Sequence, residues 1–122
     1  MALRDKIRDK AAAHLEPGEQ IEAVFAGQTH SQYLIVFGAI IFLLLNKYRC
    51  VVVTDRRVAV FDAGKLGMSN PRQLIASLPR NTPLGAPSGL WHVVELNGES
   101  LRVHKRFHKD ITSVQPALAA AA

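Results

Sequence analysis

The chain reads as a mainly β domain with a minor α component: an antiparallel sheet or partly open barrel capped by helices. Three observations predict this. Cys50-Val51-Val52-Val53-Thr54 and Arg57-Val58-Ala59-Val60-Phe61 are β-branched apolar runs separated only by Asp55-Arg56, the pattern of a tight antiparallel hairpin. Trp91–Leu96 and Ser100–His104 flank Asn97-Gly98, the strongest short hairpin signal. No βαβ alternation, internal repeat or glycine-rich phosphate loop points to another architecture.

Size and composition bound the rest. The 122 residues make one domain, long enough to bury a core without disulfides or metals. An apolar content of 48% argues against a disordered tail, and the composition excludes collagen, a disulfide scaffold and a long coiled coil. Cys50 is the single cysteine, so no intramolecular disulfide forms, as suits a reducing, cytoplasmic compartment. No signal peptide is expected, because Met1-Ala2-Leu3-Arg4-Asp5-Lys6 is charged where an apolar stretch should begin. The net charge of +5 suits nucleic acid, an acidic protein or an anionic membrane surface, and chooses none of them alone.

In chain order, residues 2–15 predict a short helix with Leu3, Ile7, Ala11 and Leu15 on one face, stopped by Pro17-Gly18. Residues 20–27 alternate as a first strand, and residues 27–32 form a polar turn. After the central hairpin, residues 64–71 are a loop. Residues 72–78 suit a strand with Leu74, Ala76 and Leu78 on one side, with a short helix as the alternative. Prolines at 79, 83 and 87 punctuate a loop or edge region. Trp91 suits the core or a sheet edge. Residues 107–114 predict a terminal helix limited by Pro116, so 116–122 is expected to be a flexible alanine-rich tail. The expected organisation is therefore a helix over 1–16, a β domain over 17–115 with an apolar insert at 33–45, and the tail.

Two features carry a family likeness. Leu15-Glu16-Pro17-Gly18-Glu19 leads into the first strand, and Val52-Val53-Thr54-Asp55-Arg56-Arg57-Val58-Ala59-Val60-Phe61 forms the second hairpin. In these the chain resembles the bacterial pleckstrin-homology-like (PH-like) domains, especially the short actinobacterial versions, over residues 15–115. The resemblance implies a PH-like antiparallel split barrel or sandwich of about seven strands with a C-terminal capping helix, here with an extra N-terminal helix. It transfers no catalytic residues. The basic signature of phosphoinositide-binding relatives is missing, since no Lys or Arg lies between Gln20 and Gln32.

The most unusual segment is Tyr33–Leu45, where 12 of 13 residues are apolar and only Gly38 interrupts. As a helix it would span about 20 Å, short of the roughly 30 Å of bilayer hydrocarbon. Three readings stay open: a buried core element, an oligomer or partner interface, and a monotopic dip into a membrane. On the last two, Tyr33, Leu34, Phe37, Ile40, Ile41, Phe42 and Leu44 are the contact residues. Lys47, Tyr48 and Arg49 beside them suit lipid headgroups.

Basic residues form the second constellation. Arg102-Val103-His104-Lys105-Arg106-Phe107-His108-Lys109 holds four fixed cations and no acid. It is a solvated strand end, a site for anionic lipid or acidic protein, or, less in keeping with the absence of any nucleic-acid motif, a phosphate-backbone site. The candidate anion or headgroup residues are Lys47, Arg49, Arg56, Arg57, Arg102, Lys105, Arg106 and Lys109; Arg56 and Arg57 either join Lys47 and Arg49 on one basic face or are ordinary turn charges.

Chemistry has little foothold. His104 and His108 are four apart, but Lys105 replaces the acid of a metal-binding helix motif, and neighbouring cations repel a divalent ion. Asp55 and Asp62 sit at turns, Ser88 lacks a nucleophile-elbow pattern, and Cys50 leads a strand. No catalytic residue, metal or cofactor is expected. The expectation is a non-enzymatic binding module, cytoplasmic and peripheral at the inner face of the plasma membrane. Its partner would be an anionic membrane surface or a membrane-associated protein. The alternative is a soluble assembly subunit using 33–45 to bind another copy or another protein.

Overall fold

The valine-rich centre of the chain folds as the hairpin its sequence predicts. In the computed structural model β2 (Tyr48–Thr54) and β3 (Arg57–Gly64) pair antiparallel, with Val51 opposite Val60 and Val53 opposite Val58. Residues 3–29, 38–40, 46–64, 70–80, 82, 84, 89, 91–96 and 98–121 are described, with 115–121 described by their backbone. Thr54 makes the turn. Its Oγ1 accepts the amide protons of Arg56 (3.2 Å) and Arg57 (3.1 Å), so the side chain supplies bonds that two turn residues cannot obtain from a ladder. Asp55, also in the turn, ties the hairpin to the chain entering β1, accepting the Gln20 amide at Oδ1 (2.9 Å).

β1 (Ile21–Gln28) pairs with β2 on one side, and β4 (Gln73–Pro79) pairs with β3 on the other, all antiparallel. β5 (Trp91–Leu96) and β6 (Glu99–His104) form the second hairpin, with Gly98 at φ +78° where a glycine turn is needed. The order β4-β3-β2-β1-β6-β5 makes one curled half-barrel sheet, so among the described residues there are six strands against the about seven expected. The segment at 72–78 is thus a strand rather than the alternative short helix.

The two sheet halves meet where β1 lies beside β6, with Gln28 opposite Arg102. The close approach there depends on Gly27: a Cβ on it would lie 3.1 Å from the Arg102 carbonyl and 3.3 Å from Leu101 and Val103 side-chain atoms. Only the residue without a side chain lets the second hairpin lie against β1 at this depth.

Both faces of the central strands are covered. Strand alternation puts Val24, Val52, Ala59 and Phe61 on one face, and Phe25, Val51, Val60 and Ala76 on the other. All but the half-buried Ala76 are at most 1% exposed. That explains why this part of the sequence is continuously apolar instead of alternating. Helix α1 (Leu3–Ala11), which continues as a 3-10 turn at Ala12–His14, packs on β1 and β2, burying Ile7 and Ala11; the His14 ring lies 5.3 Å from Phe61. A second 3-10 turn (Lys105–Phe107) leads into helix α2 (His108–Ala121), which packs on β1 and buries Ile111 and Val114. Arg4 joins the helices, pairing with Asp110 at 2.8 Å and stacking 5.6 Å over the Phe107 ring.

One boundary corrects the sequence reading. The helix does not stop at Val114 but continues through Pro116 to Ala121, where a flexible tail was expected. An interior proline loses one backbone bond and crowds the carbonyl four residues earlier, but its φ is helical, and the residues that follow are mostly alanine, the best helix former.

Gly27→Val should lower stability by about 2 kcal/mol through overpacking against the β6 backbone, with Gly27→Ala intermediate. Urea unfolding of the three proteins checks the order.

Candidate functional site

The apolar segment and its basic neighbours were the strongest functional expectation, and its attachment point is well defined. β1 ends at Gln28 and β2 begins at Tyr48. Here two bonds fasten the ends together: the Thr29 amide donates to the Lys47 carbonyl, and the Lys47 amide donates to Thr29 Oγ1, both at 2.9 Å. A third strand joins them, because Arg102 Nη1 donates to the Thr29 carbonyl at 3.1 Å. Folding thus brings Lys47 and Arg102, 55 positions apart in sequence, to the root of the apolar segment. Of the expected contact residues, Tyr33, Leu34, Phe37, Ile41, Phe42 and Leu44 lie outside the described residues. Ile40 is described, has helical backbone and is 74% exposed.

The basic residues separate into groups that the sequence did not distinguish. Arg49 is 8% exposed and faces inward. It pairs with Asp62 of β3 at 2.8 Å and with Glu99 of β6 at 3.1 Å, and donates to the Tyr48 carbonyl. It is the ionic tie between the two halves of the sheet, so its guanidinium is committed within the fold and does not form part of a headgroup surface.

Arg57 is committed in the same way at the opposite end. Its Nε and Nη2 reach the two oxygens of Glu19 at 2.9 and 3.0 Å, and its Nη1 donates to Ser77 at 2.7 Å. The Glu19 side chain is fully buried and also accepts the Thr54 hydroxyl at 2.6 Å. The bonds from Arg57, with those from Thr54 and the Glu16 amide, outweigh desolvation and hold the Glu19 carboxyl down at about 2; the Arg57 guanidinium is shifted upward in turn. Glu19 was read only as part of the Pro-Gly-Glu lead-in. Its spacing from the turn, 35 residues before Thr54, carries no local signal.

The expected single basic face of Lys47, Arg49, Arg56 and Arg57 therefore does not form. The residues that begin and end β2 lie at opposite ends of a seven-residue strand, about 20 Å apart. A tight hairpin brings Arg57 near Thr54, not near Tyr48. Arg56 is exposed and pairs with Glu16 at 3.4 Å. Lys105, Arg106 and Lys109 are exposed and cluster where the last 3-10 turn enters α2.

That corner also gathers rings. Trp91 lies edge-on to His104 at 5.1 Å, and His92 lies edge-on to His108 at 6.0 Å. His92 Nε2 meets the Leu84 carbonyl at 2.8 Å. His104 Nδ1 accepts the Arg106 amide at 3.1 Å and caps the turn. Burial, then the charges of Arg106, Lys105 and His108, lower the His104 imidazole below its usual range. Among the described residues, no group of three or more His, Cys, Asp or Glu side chains is arranged to hold a metal ion. Burial, and secondarily Asp62, pushes the Cys50 thiol up to about 12, which leaves it protonated and unreactive at neutral pH. No helix among the described residues is long and apolar enough to cross a membrane.

No family model, curated protein or solved structure matches this chain.

The Glu19–Arg57 clamp makes a pH prediction. A carboxyl held at about 2 when folded, against 4.5 ordinarily, contributes stability that is complete above 4.5 and is lost as pH falls through about 2. Glu19→Gln should cost about 2 kcal/mol at neutral pH, and the gap from the wild type should close progressively on acidification. Urea midpoints measured from neutral pH downward check both.

Proposed function

We propose that this chain is a non-catalytic PH-like binding module that associates with the anionic inner surface of a membrane through the 33–45 segment. The four-strand meander, the second hairpin lying beside β1 through β6, and the C-terminal helix support the PH-like reading. A fold does not carry a function by itself. The membrane reading rests on one observation: the apolar segment is rooted at Thr29–Lys47 with Lys47 and Arg102 at its base and a strongly exposed Ile40 within it. An apolar segment gains from leaving water, and cations at its base gain from anionic headgroups, about 1 kcal/mol for each basic residue near the surface. Arg49 and Arg57 are left out of this surface because carboxylates of the same chain occupy them. Lys105, Arg106 and Lys109 add a second positive region where the chain passes from the end of β6 through the 3-10 turn into α2.

Co-sedimentation with phosphatidylcholine vesicles, with and without phosphatidylserine, tests the reading. The protein should pellet with the anionic vesicles at low salt and be released as salt rises. Lys47→Ala should weaken partition about fivefold, and Ile40→Asp should weaken it on both vesicle types. Protein left in the supernatant under all conditions would sink the membrane reading. Self-association in sedimentation velocity would then favour the assembly subunit.

A further inference from the structure

We propose that His104 is an acid-sensitive latch: in its neutral form it fastens the start of the C-terminal helix to the second hairpin, and its protonation loosens that corner while the sheet stays folded. The geometry defines the protonation state. A backbone amide can only donate, so the 3.1 Å bond from the Arg106 amide needs an unprotonated Nδ1, and the ring is the neutral tautomer with its proton on Nε2. This bond is the side-chain cap of a helical run that begins at Lys105 and continues through α2. The same ring stands perpendicular to that of Trp91 on the neighbouring strand, its partner in the β5–β6 ladder, with centroids 5.1 Å apart. One imidazole therefore holds both the strand edge and the helix start.

Protonation reverses each contact. Nδ1 gains a proton that faces the Arg106 N–H, so an acceptor becomes a donor and the cap is lost. A new positive charge appears at a helix start, where the helix dipole is already positive. The groups around it add to this. The 3-10 turn presents Lys105 and Arg106, and α2 presents His108, all of which act against a charged ring. β5 presents the neutral Trp91, with His92 beside it and facing His108. From α1, Arg4 reaches the carbonyl of Arg106 and is itself paired with Asp110, the acid of this corner, at 2.8 Å. Two further polar atoms, Trp91 Nε1 and His108 Nε2, are buried without a hydrogen-bond partner among the described residues, so the corner holds little in reserve when the cap is lost. What loosens first is the turn at Lys105–Phe107 and the entry to α2, beneath which Phe107 and Ile111 are fully buried.

The sign of the pH dependence follows. A histidine whose folded form resists protonation contributes stability that is present above its ordinary titration range and is lost as pH falls through the folded one. His104→Asn is the discriminating variant, because asparagine also caps helices through an oxygen acceptor but does not titrate. Thermal unfolding of the full chain between about pH 7.5 and about pH 5.5 should show the wild type losing roughly 4 °C or more, with most of that slope absent in His104→Asn. Amide protection, taken relative to the intrinsic exchange rate at each pH, should fall in the wild type at Arg106 and Phe107 over the same range, with that of Val51 and Val52 unchanged. A wild-type slope that persists in His104→Asn, or that disappears in His108→Asn instead, would overturn the proposal. So would unchanged protection at Arg106 on acidification.

Discussion

The structure depends on how β1 is shared. Among the described residues it joins both halves of the sheet, pairing along its length with β2 and at Gln28 with Arg102 of β6. Gly27 sets the depth of that crossing because the β6 backbone occupies the space a side chain would need. Phe25, Val51 and Val60 share one buried face of the sheet that Gly27 also faces. Once the halves meet at this angle, the helices have a surface of fixed shape to cover, and Ile7, Phe107, Ile111 and Val114 fill it.

Two ionic ties secure what the crossing arranges, one at each end of the central strands. Arg49 bridges β2 to Asp62 and Glu99 at the end where the apolar segment departs. Arg57 holds Glu19 at the end where the chain enters β1. Both are charged groups brought out of water, and both are stable only because each guanidinium meets several acceptors. The net charge of +5 is thus misleading as a guide to surface chemistry. Part of the positive charge is neutralised inside the fold, and the exposed cations among the described residues are spread over α1 at Lys6, Arg8 and Lys10, over Lys47, Arg56 and Arg72, and over Lys105, Arg106 and Lys109.

The two proposals use different parts of this scaffold. The apolar segment and its root are a contact surface, while His104 acts on the seam between the second hairpin and α2. They adjoin along β6, where Arg102 reaches Thr29 and His104 follows two residues later. A strand that ends in a contact residue and then in a titratable cap places the response to acid close to the surface proposed to bind.

Much of the fold was legible from sequence. Asp55-Arg56 between valine runs, Asn97-Gly98 between apolar runs and the four-residue spacing of Leu3, Ile7 and Ala11 each encode local geometry, because turn chemistry and periodicity act over a few residues. The site was legible only as composition: an apolar stretch and a supply of cations. Which cations share a surface was decided by tertiary structure. Arg49 and Arg57 look like Lys47 and Arg56 in sequence. They differ only because Asp62, Glu99 and Glu19 arrive beside them across the sheet, and contacts between distant residues leave no periodic trace. The course of the helix past Pro116 was likewise misread from a local rule. By itself the sequence determined the strands, the turns and the apolar segment. Only the folded chain decided which charges face inward, that Lys47 and Arg102 stand together, and that His104 caps a helix, since each of these depends on where β6 meets β1.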